Sequence, residues 1–270
     1  MLRKTAYVIA SVMVGIPAGI MLLGWPTANP TIRDGTVALR IVSANLHYAN
    51  TAVEASRVLA NLDADLLVLL EWSGHNLDLE PFDRDWITEL DEPVSSTHGV
   101  LILRKRSVVA TSSLVPTPVA GPCRMPIATV RIRVGGRWLS LLGAHAPPPI
   151  DICEDTNGPT LIHLAGLIDG GRVRSHFGEC RKGDPVVLAG DLNAYPWSAN
   201  IGKLRAAGLV DAFASRHWRS TGTWSPYPWL PSVARIDYIL VAREAKVQGS
   251  WIVDLPGSDH RAVVADLWLE

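Results

Sequence analysis

The sequence has no surplus of either charge. Lysine and arginine number 25 against 26 aspartates and glutamates, for a formal net charge of −1. A nucleic-acid binder usually shows a Lys/Arg patch or stripe. Nothing here announces one, although a local basic groove on a neutral protein stays open. Charged residues make up only 19% of the chain against 48% hydrophobic, which excludes a disordered polypeptide. Cysteine is scarce. Cys123, Cys153 and Cys180 fit neither a zinc pattern nor a redox pair. Repeats and low-complexity stretches are absent. A chain of 270 residues can bury one full core or split into two.

The one long apolar run lies at the start. Arg3 and Lys4 precede an uncharged segment from Thr5 to Trp25, 21 residues long. About 20 apolar residues span a bilayer as a helix, and positive charges before such a run favour a cytoplasmic N-terminus. The expectation is an uncleaved transmembrane helix. Residues 1–35 would serve as membrane anchor and linker, with the rest on the extracytoplasmic side of the cell membrane. The alternative is a secreted protein released from a signal peptide. The apolar core of a signal peptide is typically only ~7–15 residues, and a cut after Ala28 would place Pro26 where a small residue is wanted.

From residue 36 to 270 strand and helix patterns alternate without an internal linker, so one domain is expected. Val37 to Asn45 reads as a strand and Thr51 to Leu62 as a helix with Thr51 as N-cap. Leu66 to Leu70 is a continuous aliphatic run, the mark of a strand buried on both faces. Gly99 to Leu103 and Val186 to Ala189 read as further strands. Ile127 to Val134 and Trp138 to Ala144 flank Gly135-Gly136, a hairpin signal. Pro159 to Phe177 is weakly helical with a break at Gly170-Gly171, and Ala199 to Ala207 is a helix. Ile236 to Val241, Val247 to Val253 and Arg261 to Leu269 close the chain as strands.

The residues that carry chemistry sit where these runs end. Glu71 follows five aliphatics, and a carboxylate is too costly to leave unpaired inside that core. The strand must deliver it to the sheet's edge, where sites of open α/β folds lie. Asp191 and Asn193 follow Val186 to Gly190, and strand alternation would place them on one side of the backbone. His145 ends a strand and precedes three prolines that stiffen its exit. Asp259 and His260 begin the last strand and point opposite ways, with Asp237 available to hold one imidazole nitrogen in a fixed tautomer. Asn45 ends the first strand. Four acids, two amides and two imidazoles suit a divalent metal and a phosphate ester.

The ordered phrases Ser43-Ala44-Asn45, Leu69-Leu70-Glu71, Gly143-Ala144-His145, Gly190-Asp191-Leu192-Asn193, Arg235-Ile236-Asp237-Tyr238 and Ser258-Asp259-His260 resemble the endonuclease/exonuclease/phosphatase superfamily. That superfamily includes DNase I, exonuclease III-type nucleases, neutral sphingomyelinases and inositol polyphosphate 5-phosphatases. The nearest likeness is to bacterial membrane-linked members, partly through Thr221-Gly222-Thr223-Trp224. The resemblance implies a four-layer α/β/β/α sandwich of two mixed sheets and a Mg²⁺- or Mn²⁺-dependent hydrolase of phosphate esters. It implies metal binding by Glu71, with Asn45 and Asp259 in or near the shell. Asp191 would position or deprotonate the attacking water, Asn193 and His145 would contact the phosphate, and His260, held by Asp237, would stabilise the phosphoryl group or move a proton. Two positions depart from the pattern. His47 stands where exonuclease III-type relatives carry an acid, and Leu70 where many members carry Gln. The first weighs against AP-endonuclease activity.

The substrate stays open at this stage. A nuclease would need a cationic groove, for which Arg104, Lys105, Arg106 and Arg124 are the candidates. A lipid phosphodiesterase or phosphatase would use the anchor and an apolar lip of Trp224, Tyr227, Trp229 and Leu230, residues that core packing explains better. A non-catalytic binding module of the same fold is the third reading, and the intact set of acids and histidines argues against it. A monomer is expected. The hairpin register makes one further expectation. Val134 opposite Arg137 sets facing numbers to sum to 271, so Cys123 lies across from Pro148, five residues before Cys153. Disulfides need Cα atoms within roughly 7 Å. Cys123–Cys153 should therefore be bonded and Cys180 free.

Overall fold

An aliphatic run without polar alternation makes a strand that must be covered on both faces, and this chain has several. The computed structural model describes residues 38–50, 54–117, 123–150, 153–217, 221–227 and 230–269. One six-stranded sheet contains β1 (Leu39–Asn45), β2 (Leu66–Leu70), β3 (Trp86–Glu92), β4 (Val100–Lys105), β13 (Ala245–Asp254) and β14 (Arg261–Leu269), in the order β13-β14-β1-β2-β4-β3. The other contains β5 (Val109–Pro116), β6 (Pro126–Val134), β7 (Arg137–Ala144), β10 (Val186–Asp191), β11 (Leu209–Asp211) and β12 (Asp237–Ala242), in the order β11-β12-β10-β7-β6-β5. Each sheet has one parallel pair, β1 with β2 and β7 with β10, and its other pairs are antiparallel.

Alternation along the buried strands sorts the side chains into layers. Leu66, Val68 and Leu70 join Val187, Ala189, Ile239 and Val241 in the core between the sheets. Leu67 and Leu69 point the other way, into a second core with Leu59 of α1 (Glu54–Ala60) and Phe82. Leu188 and Leu240 face a third core with Leu161 and Leu164 of α2 (Asn157–Gly166) and Ile201 and Leu204 of α3 (Ala199–Ala206). The order is helix, sheet, sheet, helix, as the family resemblance implied.

Two expectations change. The predicted helix from Pro159 to Phe177 stops at Gly166, and Ile168–Asp169 (β8) and Arg172–Val173 (β9) form a small hairpin instead. Gly170 and Gly171, with φ of 56° and 82°, make its turn, because only glycine takes two successive left-handed positions cheaply. The chain also forms β3, β5, β11 and the short α4 (Ala212–Arg216), which the sequence pattern had not marked. Among the described residues no helix is long and apolar enough to cross a membrane. The predicted anchor, residues 1–35, lies outside the described residues, as do residues 51–53 of the first predicted helix and Trp229 of the proposed lip.

The hairpin register is the expected one, with Val134 opposite Arg137 and Ile127 opposite Ala144. Cys123 and Cys153 are disulfide-bonded with Cα atoms 5.6 Å apart, and Cys180 is free and buried. Burial pushes the Cys180 thiol up to about 12, which keeps it unreactive at neutral pH. The bond closes a 30-residue separation. Replacing both Cys123 and Cys153 by Ser is expected to cost ~2–4 kcal/mol of stability, read as a lower urea midpoint at unchanged slope. An unchanged midpoint would show that the bridge constrains nothing.

Candidate active site

The topology brings the chemically useful residues to one edge. β1 and β10 end there with Asn45 and Asp191, β2 and β7 end there one residue before Glu71 and His145, and the antiparallel β12 and β14 start there with Asp237 and, one residue before β14, His260. Asn45 joins the sheets: its Nδ2 donates to Glu71 Oε1 at 2.9 Å and to Asp191 Oδ2 at 3.3 Å. Ser258 closes the ring by donating its Oγ–H to the Asn45 carbonyl and accepting the His260 N–H.

Asp191 is the centre. Its carboxylate is 1% exposed. Oδ1 accepts the Asn193 N–H at 2.9 Å. Oδ2 faces His145 Nε2 at 3.5 Å and His260 Nε2 at 3.7 Å. His260 Nδ1 lies 2.9 Å from Asp237 Oδ2, which is the tautomer-holding pair expected from the sequence. His145 Nδ1 donates to the Thr97 carbonyl at 3.0 Å, so its Nε2 is left facing Asp191 and Asn193 Nδ2, the latter at 3.4 Å. The strand ends at Asp191, so alternation does not carry Asn193 into the site. A left-handed turn does, with φ of 46° at Asn193. Glu71 and His47 are also left-handed, at 57° and 59°. Each such residue stores on the order of 1–3 kcal/mol, a cost that clusters at functional sites.

Several partners were not visible in the sequence. Asn76, fully buried, donates to the Glu71 and His47 carbonyls and fixes the turn after β2. Asn157 donates to the carbonyls of Pro147, Leu192 and Asn193, tying the His145 exit to the Asp191 exit. Thr223 Oγ1 accepts the N–H groups of Ile236 and Asp237. Trp224, for which packing was the favoured reading over a lip, donates its indole N–H to Asp259 Oδ2 at 3.0 Å. No local pattern betrays such partners, because each bond crosses at least five residues and most cross ten or more.

Of the four cations expected near the substrate, Arg124 precedes β6 at the sheet edge where β7 ends, and the other three sit apart. Arg124 is exposed and its Nε donates to the Thr117 carbonyl, not to a site residue. Arg104 and Lys105 lie at the far end of their sheet, since Leu70 pairs with Val100 and Leu66 with Arg104. Arg104 is bound to Glu89, and Arg106 to the Trp86 carbonyl. That run does not line the site.

The electrostatics follow from burial. Desolvation raises the Asp191 carboxyl to about 6, with the Asp237 charge adding to it and His260, His145 and the Asn193 N–H opposing. Burial alone would lower His260, but Asp237 and Asp191 outweigh it and raise the imidazole to about 10. At neutral pH the site holds a carboxylate beside an imidazolium.

The donor set fits a hard divalent cation. Glu71, Asp191 and Asp237 are three buried acids grouped with only two imidazoles, and oxygen donors are what such ions take. Asp237 Oδ1 is buried without a hydrogen-bond partner. Asp191, Asp237 and His260 offer ligand atoms within 4.8 Å of one another, a different group from the expected Glu71, Asn45 and Asp259. The Asp237–His260 bond already occupies one atom of each. Asn45 turns its amide N–H, not its oxygen, toward Glu71. Asp259, a third exposed, contacts Trp224 and lies 3.6 Å from His47 Nδ1. Of the expected metal set, Asn45 and Glu71 are in direct contact, and Asp259 is held by other residues.

A model of the Endonuclease/Exonuclease/phosphatase family matches residues 42–260. No curated protein matches the chain. Among solved structures, a family protein from Leptotrichia buccalis shares 17% identity, with 85% of this chain and 99% of that one covered at a TM-score of 0.61. One from Beutenbergia cavernae shares 23%, covering 86% and 71% at 0.60. A humanised TDP2 of D. rerio shares 19%, covering 85% and 98% at 0.66. At these identities the likeness shows the fold.

Proposed function

The chain belongs to the endonuclease/exonuclease/phosphatase family, and from that premise we propose that it is a Mg²⁺- or Mn²⁺-dependent hydrolase of phosphate esters. The observation that carries the reading is the buried Asp191 carboxylate, approached by Asn45, His145 and His260 from three other strand ends. A carboxylate raised to about 6 is ionised at neutral pH yet basic enough to take a proton from water, which is where a general base works best. Asn45 holds Oδ2 and the Asn193 N–H holds Oδ1, so the acceptor direction is fixed. His260, kept cationic and oriented by Asp237, presents an N–H to a phosphoryl oxygen on which charge develops. Asn193 Nδ2 and His145 Nε2 border the same space and contact the phosphate. Glu71, with Asn45 beside it, would hold the cation, which when bound supplies charge neutralisation at the phosphoryl or leaving oxygen.

The purified chain is expected to hydrolyse bis-p-nitrophenyl phosphate with Mg²⁺ or Mn²⁺ present and to lose that activity in excess EDTA, with recovery on adding back the ion. Full turnover in EDTA would overturn the metal requirement. No turnover of any phosphate ester with either ion would favour the binding-module reading.

A further inference from the structure

Trp197 is 72% exposed and Tyr195 36%. Their rings stack face to face, with centroids 5.1 Å apart and planes 1° from parallel. Neither ring is a strut of the core, and an exposed Trp forgoes the burial that makes large aromatics stabilising elsewhere. The loop beneath them is pinned. The Ala194 carbonyl accepts the buried Tyr238 hydroxyl at 2.6 Å, and the Leu192 and Asn193 carbonyls accept from Asn157. The Ser198 N–H donates to the Tyr195 carbonyl, and Ser198 Oγ caps α3 by accepting the Ile201 N–H. Pro196 between the rings fixes its own φ and restricts Tyr195 to extended backbone. The result is a rigid, flat, uncharged aromatic surface.

Its position matters. Tyr195 is two residues from Asn193, so their Cα atoms lie within roughly 7 Å. A ring carried by the substrate a sugar's length from the phosphate spans a comparable distance. We propose that the Tyr195–Trp197 stack is a substrate subsite that takes a planar heteroaromatic ring, a nucleobase, on the ester whose phosphate Asn193 contacts. This rests on the phosphoesterase reading for where the phosphate sits. Parallel stacked rings offer one flat face, the shape on which bases stack without regard to sequence. Residues 192–199 carry no charged side chain, so the loop itself has nothing to attract a phosphate backbone or an anionic lipid surface. Its recognition falls on the ring.

The test is calorimetric binding to the full chain. Adenosine 5′-monophosphate is expected to bind ~5- to ~150-fold tighter than ribose 5-phosphate, the range for one base on an aromatic platform. Trp197→Ala should erase that ratio at an unchanged melting temperature, and Trp197→Phe should keep most of it. An oligothymidylate arm beside thymidine monophosphate separates a strand from a single nucleotide as the source of the ring, and loss of affinity in Trp197→Ala in either arm supports the subsite. A ring preference that persists in Trp197→Ala, or none in the wild type, overturns it. So does a Trp197→Ala variant that loses only its affinity for phosphatidylcholine vesicles, since the surface would then be a membrane contact. Hydrolysis of p-nitrophenyl esters without a ring preference would sink this subsite alone. A ring preference without hydrolysis would sink the enzyme reading alone.

Discussion

Asp191→Asn is expected to lower kcat by at least ~10²-fold, and His260→Ala by a similar factor, the usual scale for a lost acid or base. The double variant should be little worse than either single one, because residues that act as a unit in one step fail together. The pH dependence separates them. Asp191 works as a carboxylate, so turnover falls as pH drops through about 6; His260 works as an imidazolium, so turnover falls as pH rises through about 10. Asp191→Asn should remove the acid limb from whatever activity remains. A bound cation beside Asp191 would shift that limb downward, so a limb well above 6 would count against the assignment. Stability provides the control for misfolding. The folded pKa of Asp191 lies above its ordinary value of 3.8. Its favourable contribution is therefore complete only below that value and is lost as pH rises through about 6. At pH 7 Asp191→Asn should melt at or above the wild-type temperature while being catalytically crippled. Near-normal turnover in either single variant would remove these two residues from the chemistry.

Much of this arrangement is written into runs of side chains. Leu66 to Leu70 and Val186 to Ala189 are aliphatic without a break, which only a strand covered on both faces tolerates, and each ends at an acid or one residue short of one. Gly135-Gly136 fixes a register from which the Cys123–Cys153 bond followed by arithmetic. The elements that the pattern did not mark are mostly edges. β3, β5 and β11 are outermost strands of their sheets, half exposed or very short, so residues such as Thr88, Glu89 and Asp91 obscure the period. The helix expected through Phe177 failed for a related reason: apolar residues at Leu167, Ile168 and Val173 suit a helix stripe and a short hairpin equally until Gly170-Gly171 decides. At the site, residues at strand ends were readable because burial forbids a charge further back. Asn76 and Asn157 were not, because their work is to satisfy carbonyls brought close only by the fold, and neither was Thr97, whose carbonyl accepts from His145 Nδ1. Arg104, Lys105 and Arg106 mark the limit of such a reading: candidates for a cationic groove, they lie at the far end of their sheet.

Gly190→Ala is expected to do more damage than its single methyl group suggests. Gly190 has φ of 149°, where an L side chain is strained. A Cβ built there would also overlap the Ala144 carbonyl oxygen. That oxygen is backbone, and it belongs to the strand that carries His145. The close approach is what the site uses: the Ala146 N–H donates to the Asp191 carbonyl at 2.8 Å, and His145 Nε2 stands 3.5 Å from Asp191 Oδ2. Backbone strain and forced overpacking together should cost at least ~3 kcal/mol, a melting temperature lower by about 10 °C for a domain of this size. In the fraction that folds, β7 and β10 must separate at their ends. Displacing His145 from Asp191 by about an ångström is expected to lower turnover on the order of 10²-fold. Gly202→Ala is the matching control. Gly202 is exposed in α3, and a Cβ there meets nothing within 4 Å. It should gain ~0.5–1 kcal/mol from helix propensity with activity untouched. Thermal unfolding and turnover of the two variants side by side decide the matter. If Gly190→Ala melts and turns over like the wild type, the strands are not held in contact through this residue, and the account of how the fold brings His145 to Asp191 is wrong.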